Sequence, residues 1–278
     1  MTQNSYSGFT VDLDDRGVAV VTFNRVDKLN AMTQAMKRDL IEWLTASQMN
    51  PDVRVVVFTG AGSAFIAGDD LAGYQTDEPT SVSRIGPGHD SAIGTVNALQ
   101  AYSQAVNLAI RNLNKITIAA INGAAIQTGL SLALSCDLRL ASTSAKLGSA
   151  TLRFALLPDE GGHWLLVQHL GLSRALDFLL NKKIVSASDA LAMGLVNEVC
   201  APEDLLTRAM EMAHDLSDGP QTAMALLKRA TYVAAQSTWE VAMADIAART
   251  AIADHHPDAK EGIRAFREKR PARFNQAD

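Results

Sequence analysis

Residues 116–137 read Ile-Thr-Ile-Ala-Ala-Ile-Asn-Gly-Ala-Ala-Ile-Gln-Thr-Gly-Leu-Ser-Leu-Ala-Leu-Ser-Cys-Asp. Thr117–Ile121 is a short apolar, β-rich run closed by Asn122-Gly123, which predicts a buried strand. Leu130–Ser135 reads as a short apolar helix, and Leu138–Ala141 as a second strand. A strand, a helix and a further strand in so little chain imply a crossover and a parallel sheet.

The pattern extends outward in both directions. Phe9–Leu13 and Val18–Phe23 are strand-like, and Asp14-Asp15-Arg16-Gly17 between them predicts a hairpin turn. Met32, Met36, Leu40, Trp43 and Leu44 recur at helical spacing. Val53–Thr59 is another buried strand, closed by Gly60-Ala61-Gly62. Helical periodicity resumes from about Ala92 to Leu113. Ser186 with Asp189 forms a capping box, and Leu195–Cys200 reads as a short strand. From Pro202 the pattern is helical to about Lys269. The expected organisation is an α/β core over 1–201 and a helical C-terminal part over 202–278. Gln75–Asp90, polar and bearing Pro and Gly, predicts a mobile loop.

Composition sets bounds on function. The chain has 278 residues, 47% hydrophobic and 20% charged, with net charge −5. This fits a globular protein and argues against a nucleic-acid binder. No apolar run reaches the ~18 residues of a membrane span. Cys136 and Cys200 sit in apolar stretches without metal-like spacing, so free buried thiols and a reducing, cytoplasmic compartment are expected. Lys260, Arg264, Arg267, Lys269, Arg270 and Arg273 form a basic stretch, either a solvated helix face or a phosphate-binding patch.

Several motifs fail their chemistry. Gly60-Ala61-Gly62 lacks the third glycine of a dinucleotide fingerprint, because position 65 is Phe65. Gly129-Leu130-Ser131 approaches a nucleophile elbow, with His163 and Asp159 downstream. Ser131, however, falls some ten residues beyond its strand, inside a helix. Asp69, Asp70 and Asp137 could hold a metal, but adjacent aspartates before an apolar run read as helix caps, and no metal is expected. His163, with Trp164, reads as a helix-start residue, and His255-His256 as a loop. Asp159-Glu160, between Pro158 and Gly161-Gly162, reads either as an N-terminal cap or as an acid/base pair.

Residues 116–137, together with Gly-Ser-Ala-Thr-Leu-Arg-Phe-Ala-Leu-Leu-Pro-Asp-Glu-Gly-Gly over 148–162, resemble the crotonase superfamily, the enoyl-CoA hydratases and isomerases. Three further segments resemble it in order: Lys28-Leu29-Asn30-Ala31-Met32, Phe65–Leu71 and Ala265–Arg270. The resemblance implies a crotonase-like spiral of ββα units with a helical C-terminal part. It implies an acyl-CoA thioester as substrate and no cofactor beyond that coenzyme A. An enolate would be held by the backbone N–H groups of Asp69 and Thr128. Lys28, Asn30, Ala31, Ala67, Phe266 and Lys269 would contact coenzyme A, the last two often across a subunit boundary in a homotrimer or dimer of trimers.

The resemblance also exposes a substitution. The two hydratase glutamates map to Ser131 and Thr151, and neither can act as a carboxylate. Asp159 maps to a position that carries an acid in several non-hydratase relatives. The expectation is therefore a proton transfer of the isomerase kind with Asp159 as base and Glu160 as substitute. The alternatives are a hydratase using either acid, a non-catalytic acyl-CoA binder, and a serine hydrolase through Ser131. The longer, polar segment between about Leu71 and Arg111, which lines the acyl pocket in the family, implies a bulky or unusual acyl group.

Overall fold

The structure, a computed structural model, describes residues 6–70 and 91–276. The Gln75–Asp90 loop and the first part of the expected acyl-pocket segment lie outside the described residues. β1 (Phe9–Leu13) and β2 (Val18–Phe23) form the expected antiparallel hairpin, pairing Phe9 with Phe23 and Leu13 with Ala19. The Asp14 carboxylate fixes its turn by accepting from the N–H groups of Arg16 and Val18. Helix α1 (Gln34–Met49) is capped by Thr33, whose hydroxyl accepts from Met36 N–H at 3.2 Å, and buries Met36, Leu40, Trp43 and Leu44 on one face.

Three strand pairs then follow, each leading into helix. β3 (Val55–Gly60) and β4 (Ala64–Ile66) lead to α2 (Ala92–Ala98) and α3 (Gln104–Asn112), joined by a π-helical turn over Leu99–Ser103. β5 (Ile116–Ile121) and β6 (Ala124–Ile126) lead to α4 (Thr128–Ser135). β7 (Leu138–Ser142) and β8 (Lys146–Gly148) lead to a 3-10 turn (Thr151–Phe154), α5 (Gly162–Leu170) and α6 (Leu172–Leu180). The chain continues through β9 (Ile184–Ser186), α7 (Ala187–Met193), β10 (Glu198–Cys200), α8 (Leu205–Ser217), α9 (Gln221–Ala234), α10 (Trp239–Asp254) and α11 (Pro257–Glu268).

The first strand of each pair joins one sheet of order β1-β2-β3-β5-β7-β10, parallel from β2 onward. The second joins a smaller sheet, β4-β6-β8-β9. This is the expected spiral of ββα units. The smaller sheet escaped the periodicity argument because three-residue strands are too short to show alternation.

β3 shows why the larger sheet reads as an unbroken apolar run. Val56 and Phe58 pack into the main core with Leu40 and Ile110, while Val55 and Val57 face Leu205, Ala209 and Ala213 of α8. Each such side chain contributes ~1.5–3 kcal/mol when fully buried. Cys136 and Cys200 are free thiols, and burial pushes Cys136 up to about 12. No helix among the described residues is long and apolar enough to cross a membrane.

Candidate active site

The C-terminal ends of the central strands deliver the candidate residues to one place. Gly129 lets α4 approach β4: a Cβ there would stand 2.1 Å from the Ile66 carbonyl oxygen. Thr128 is the first residue of α4, so its N–H has no intrahelical acceptor and sits at the positive end of the helix dipole. Asp69 is bridged in parallel fashion to Met32. Met32 N–H donates to Gly68 and Asp70 N–H donates to Met32, which leaves the N–H of Asp69 outside that ladder. Asp69, Thr128, Asp159 and Glu160 line one cavity of about 130 Å³, with Ala67 and Thr151 also on its wall.

The two amide positions are tied together through their side chains. Thr128 Oγ1 donates to Asp69 Oδ1 at 2.9 Å, and Lys37 Nζ donates to Asp69 Oδ2 at 2.7 Å and to Ser103 Oγ at 2.8 Å. Lys37 is buried. Asp70 pairs with Arg25 at 2.6 Å. Both carboxylates are thus paired with cations from distant segments, and the helix start that Asp69 and Asp70 were expected to cap lies outside the described residues.

Glu160 is buried and turned into the site. Its Oε1 accepts from Ser131 Oγ and from Gln127 Nε2, each at 2.8 Å. The side chain at position 131 thus lies against a carboxylate that comes from another part of the chain. Burial pushes Glu160 up to about 7, with the negative charges of Asp159 and Asp69 adding to the effect and the bond from Ser131 opposing it. Asp159 stands at the rim, open to solvent. The surrounding protein still raises its carboxyl above the ordinary range, as does Asp69, while Glu160 and Lys37 pull the other way. Two adjacent acids that share a negative environment hold one proton more readily than none.

Gln127 is the residue that sequence reasoning missed. It adopts φ +49°, a costly conformation for a non-glycine residue. Its Oε1 accepts from Ser149 at 2.7 Å and Thr151 at 3.3 Å, so it links Ser149 and Thr151 to Glu160, which Ser131 bonds directly. A single amide in the apolar run Ala124–Ala133 was the available signal. Gln104 and Asn107 of α3 complete the frame by donating to the carbonyls of Asp159 and Glu160, each at 2.9 Å.

The remaining candidates divide. Lys28, Asn30 and Ala31 lie beside Ala67, whose N–H donates to Leu29 at 3.1 Å. Asn30 is fully buried and its amide bonds Arg25, Ala61 and Ala64, so its side chain shapes this turn. Phe266 and Lys269 are not brought to the cavity, whose wall contains no residue of α11, and Phe266 is 85% exposed. The basic stretch is partly neutralised, because Glu261 binds both Arg264 and Arg270. Asp137 accepts from Thr117, Lys228 and Tyr232, and no metal-ligating cluster occurs among the described residues. Ser131 gives its hydroxyl to Glu160, and the exposed His163 contacts the Pro158 carbonyl at 3.3 Å, so the two form no nucleophile–base pair.

The chain is matched over residues 14–277 by the model of the enoyl-CoA hydratase/isomerase family. It is 31% identical over 260 residues to a 1,2-epoxyphenylacetyl-CoA isomerase of Escherichia coli, covering 94% of this chain and 95% of the relative. It is 30% identical over 271 residues to a crotonyl-CoA hydratase of Syntrophomonas wolfei, covering 97% and 98%. Among solved structures, an enoyl-CoA hydratase from Bacillus anthracis superposes with a TM-score of 0.87 at 29% identity, over 96% of this chain and 99% of that one. The chain belongs to the enoyl-CoA hydratase/isomerase family.

Proposed function

We propose that the protein moves a proton beside the carbonyl of an acyl-CoA thioester, as a double-bond isomerase does, with Asp159 as base and Glu160 as its proton partner. The observation that carries this reading is the neighbouring pair Asp159 and Glu160 on one cavity wall with Asp69 and Thr128. The thioester oxygen would accept from the N–H groups of Asp69 and Thr128. Asp159 would take a proton from the carbon chain, the electron pair would move into an enolate, and the proton would return at the other carbon. Fixed donors aimed at the developing oxyanion are commonly the largest catalytic contribution. One base that removes and returns a proton suffices for this reaction, and nothing is consumed.

A second reading is favoured by one contact. Glu160 on Ser131 restores a carboxylate beside a position that hydratases fill with glutamate. With Asp159 it could position water for addition across an enoyl double bond. A CoA-thioester isomerase and a CoA-thioester hydratase both stand among the relatives.

The test is incubation in D₂O with a 3-enoyl-CoA and, separately, with crotonyl-CoA. The proton-transfer reading expects the double bond to shift with deuterium incorporation, and crotonyl-CoA to be hydrated poorly. Efficient hydration without a shift would establish the second reading. Tight acyl-CoA binding with neither reaction would leave a non-catalytic binder. For coenzyme A itself, the proposal puts its phosphates near Lys28 and near Phe266 of α11 and Lys269 just past its end, supplied across a subunit boundary of a homotrimer or dimer of trimers.

A further inference from the structure

Behind the catalytic loop lies a second, larger cavity of about 440 Å³, walled by α3, α5 and α9. Asn107, Leu108, Arg111, Trp164, Arg229 and Tyr232 give it its character. The Arg111 guanidinium is sandwiched between two rings, 4.8 Å from the centre of Trp164 and 4.4 Å from that of Tyr232. Stacking of this kind fixes the plane of the guanidinium and leaves its edge donors free for a planar anion.

The charge around it is not balanced. Among the described residues neither Arg111 nor Arg229 has a carboxylate partner, and the Arg111 guanidinium donates to no acceptor. Arg229 Nε donates to Asn114 at 2.7 Å and Nη1 to the Arg111 carbonyl at 2.9 Å. The nearby acids are occupied: Asp137 by Lys228 and Tyr232, Glu160 by Ser131 and Gln127. Of three buried side-chain atoms left without a partner among the described residues, two belong to residues of this wall: Arg229 Nη2, a donor that an anion would satisfy, and Asn107 Oδ1, an acceptor that it would not. Native structures keep few such atoms, and each calls for a reason.

We propose that this cavity binds a carboxylate carried on a small apolar or aromatic body, with the acid on Arg111, supported by the charge of Arg229, and the body against Leu108, Trp164 and Tyr232. Glu160 lines both cavities, and Asn107 holds the Glu160 carbonyl. The carboxylate could therefore belong to a free acid or to the far end of an acyl chain whose thioester lies in the smaller cavity. The second source rests on the function proposed above; the first does not.

The experiment has an arm for each source. Calorimetry with benzoate alone tests the free acid. Comparison of adipyl-CoA with hexanoyl-CoA tests the chain terminus. Saturable benzoate binding, or a preference for adipyl-CoA, is expected. Either should weaken by roughly tenfold or more in Arg111→Gln, the scale of a charge-assisted hydrogen bond. Arg111→Lys, which keeps the charge and loses the planar fork, should recover part of it, and circular dichroism of both variants checks that the fold is intact. Absence of both benzoate binding and adipyl-CoA preference in the wild type would overturn the proposal, as would equal values in wild type and a folded Arg111→Gln. Hexanoyl-CoA binding that survives while the preference is absent separates this failure from failure of the acyl-CoA reading.

Discussion

Ser131 Oγ donates to Glu160 Oε1 at 2.8 Å across a separation of 29 residues. A longer side chain at 131 would compete for this space: even a Cβ on Gly162 would stand 2.5 Å from Ser131 Oγ. The small serine and the buried glutamate thus fit each other. α4 carries no carboxylate of its own, and Glu160 on the loop before α5 brings one against it. This relationship underlies the first three predictions.

Asp159→Asn keeps the shape of the rim and removes its ionisable group. Exchange of acyl-CoA protons with D₂O should fall by about 10²–10⁴-fold, the usual contribution of a general base. Persistent exchange in this variant, with loss in Glu160→Gln, would exchange the roles of the two acids.

If Asp159 acts ionised beside a protonated Glu160, the pH–rate profile is a bell. Activity rises as Asp159 loses its proton and falls as Glu160 loses its own, near the value of about 7 to which burial raises it. Glu160→Gln keeps a neutral side chain and should remove the fall on the alkaline side. Ser131→Ala removes a bond that favours the charged form, so that fall should move to higher pH. A profile unchanged in both variants would detach Glu160 from the chemistry.

The same group gives a stability prediction. Its folded pKa lies above the ordinary glutamate value of 4.5, so the folded chain binds more protons than the unfolded chain between pH 4.5 and about 7. The stabilising contribution is fully present below 4.5 and is lost as pH rises through about 7. Denaturant titrations should show this decline in the wild type and a flatter dependence in Glu160→Gln.

Lys37 neutralises the carboxylate of Asp69, whose N–H is proposed to hold the oxyanion. In Lys37→Met the charge of Asp69 would oppose enolate formation and raise the Asp159 carboxyl further, since Lys37 now pulls it down. Turnover should drop, by less than the roughly 10²–10³-fold that a lost oxyanion donor costs. The rising limb of the profile should move to higher pH. Adding Asp69→Ala should reverse both effects, because it removes the uncompensated charge. A double variant no better than Lys37→Met would assign Lys37 a purely structural role.

Lys269→Glu should weaken binding of coenzyme A thioesters, and wild-type affinity should fall as salt shortens the Debye length, about 10 Å at 0.1 M. Equal calorimetric affinities would remove Lys269 from the phosphate site.

The fold class is legible in the sequence alone, and so is a set of candidate residues that line one cavity. Long apolar strands such as Val55–Gly60, the periodic face of α1 and the capping box at Ser186 are local signals, written within a few residues, and the structure contains each. The linear order of the family segments likewise identified Asp69, Thr128 and Asp159, which share one cavity. Tertiary structure alone decided the partners. That Glu160 turns inward onto Ser131, that Lys37 reaches Asp69 and that Gln127 bridges Ser149, Thr151 and Glu160 depends on how α1, α4 and the loop before α5 pack. The physical reason is that a carboxylate's charge state follows from its burial and its neighbours. Those neighbours lie tens of residues away along the chain and only ångströms away in space.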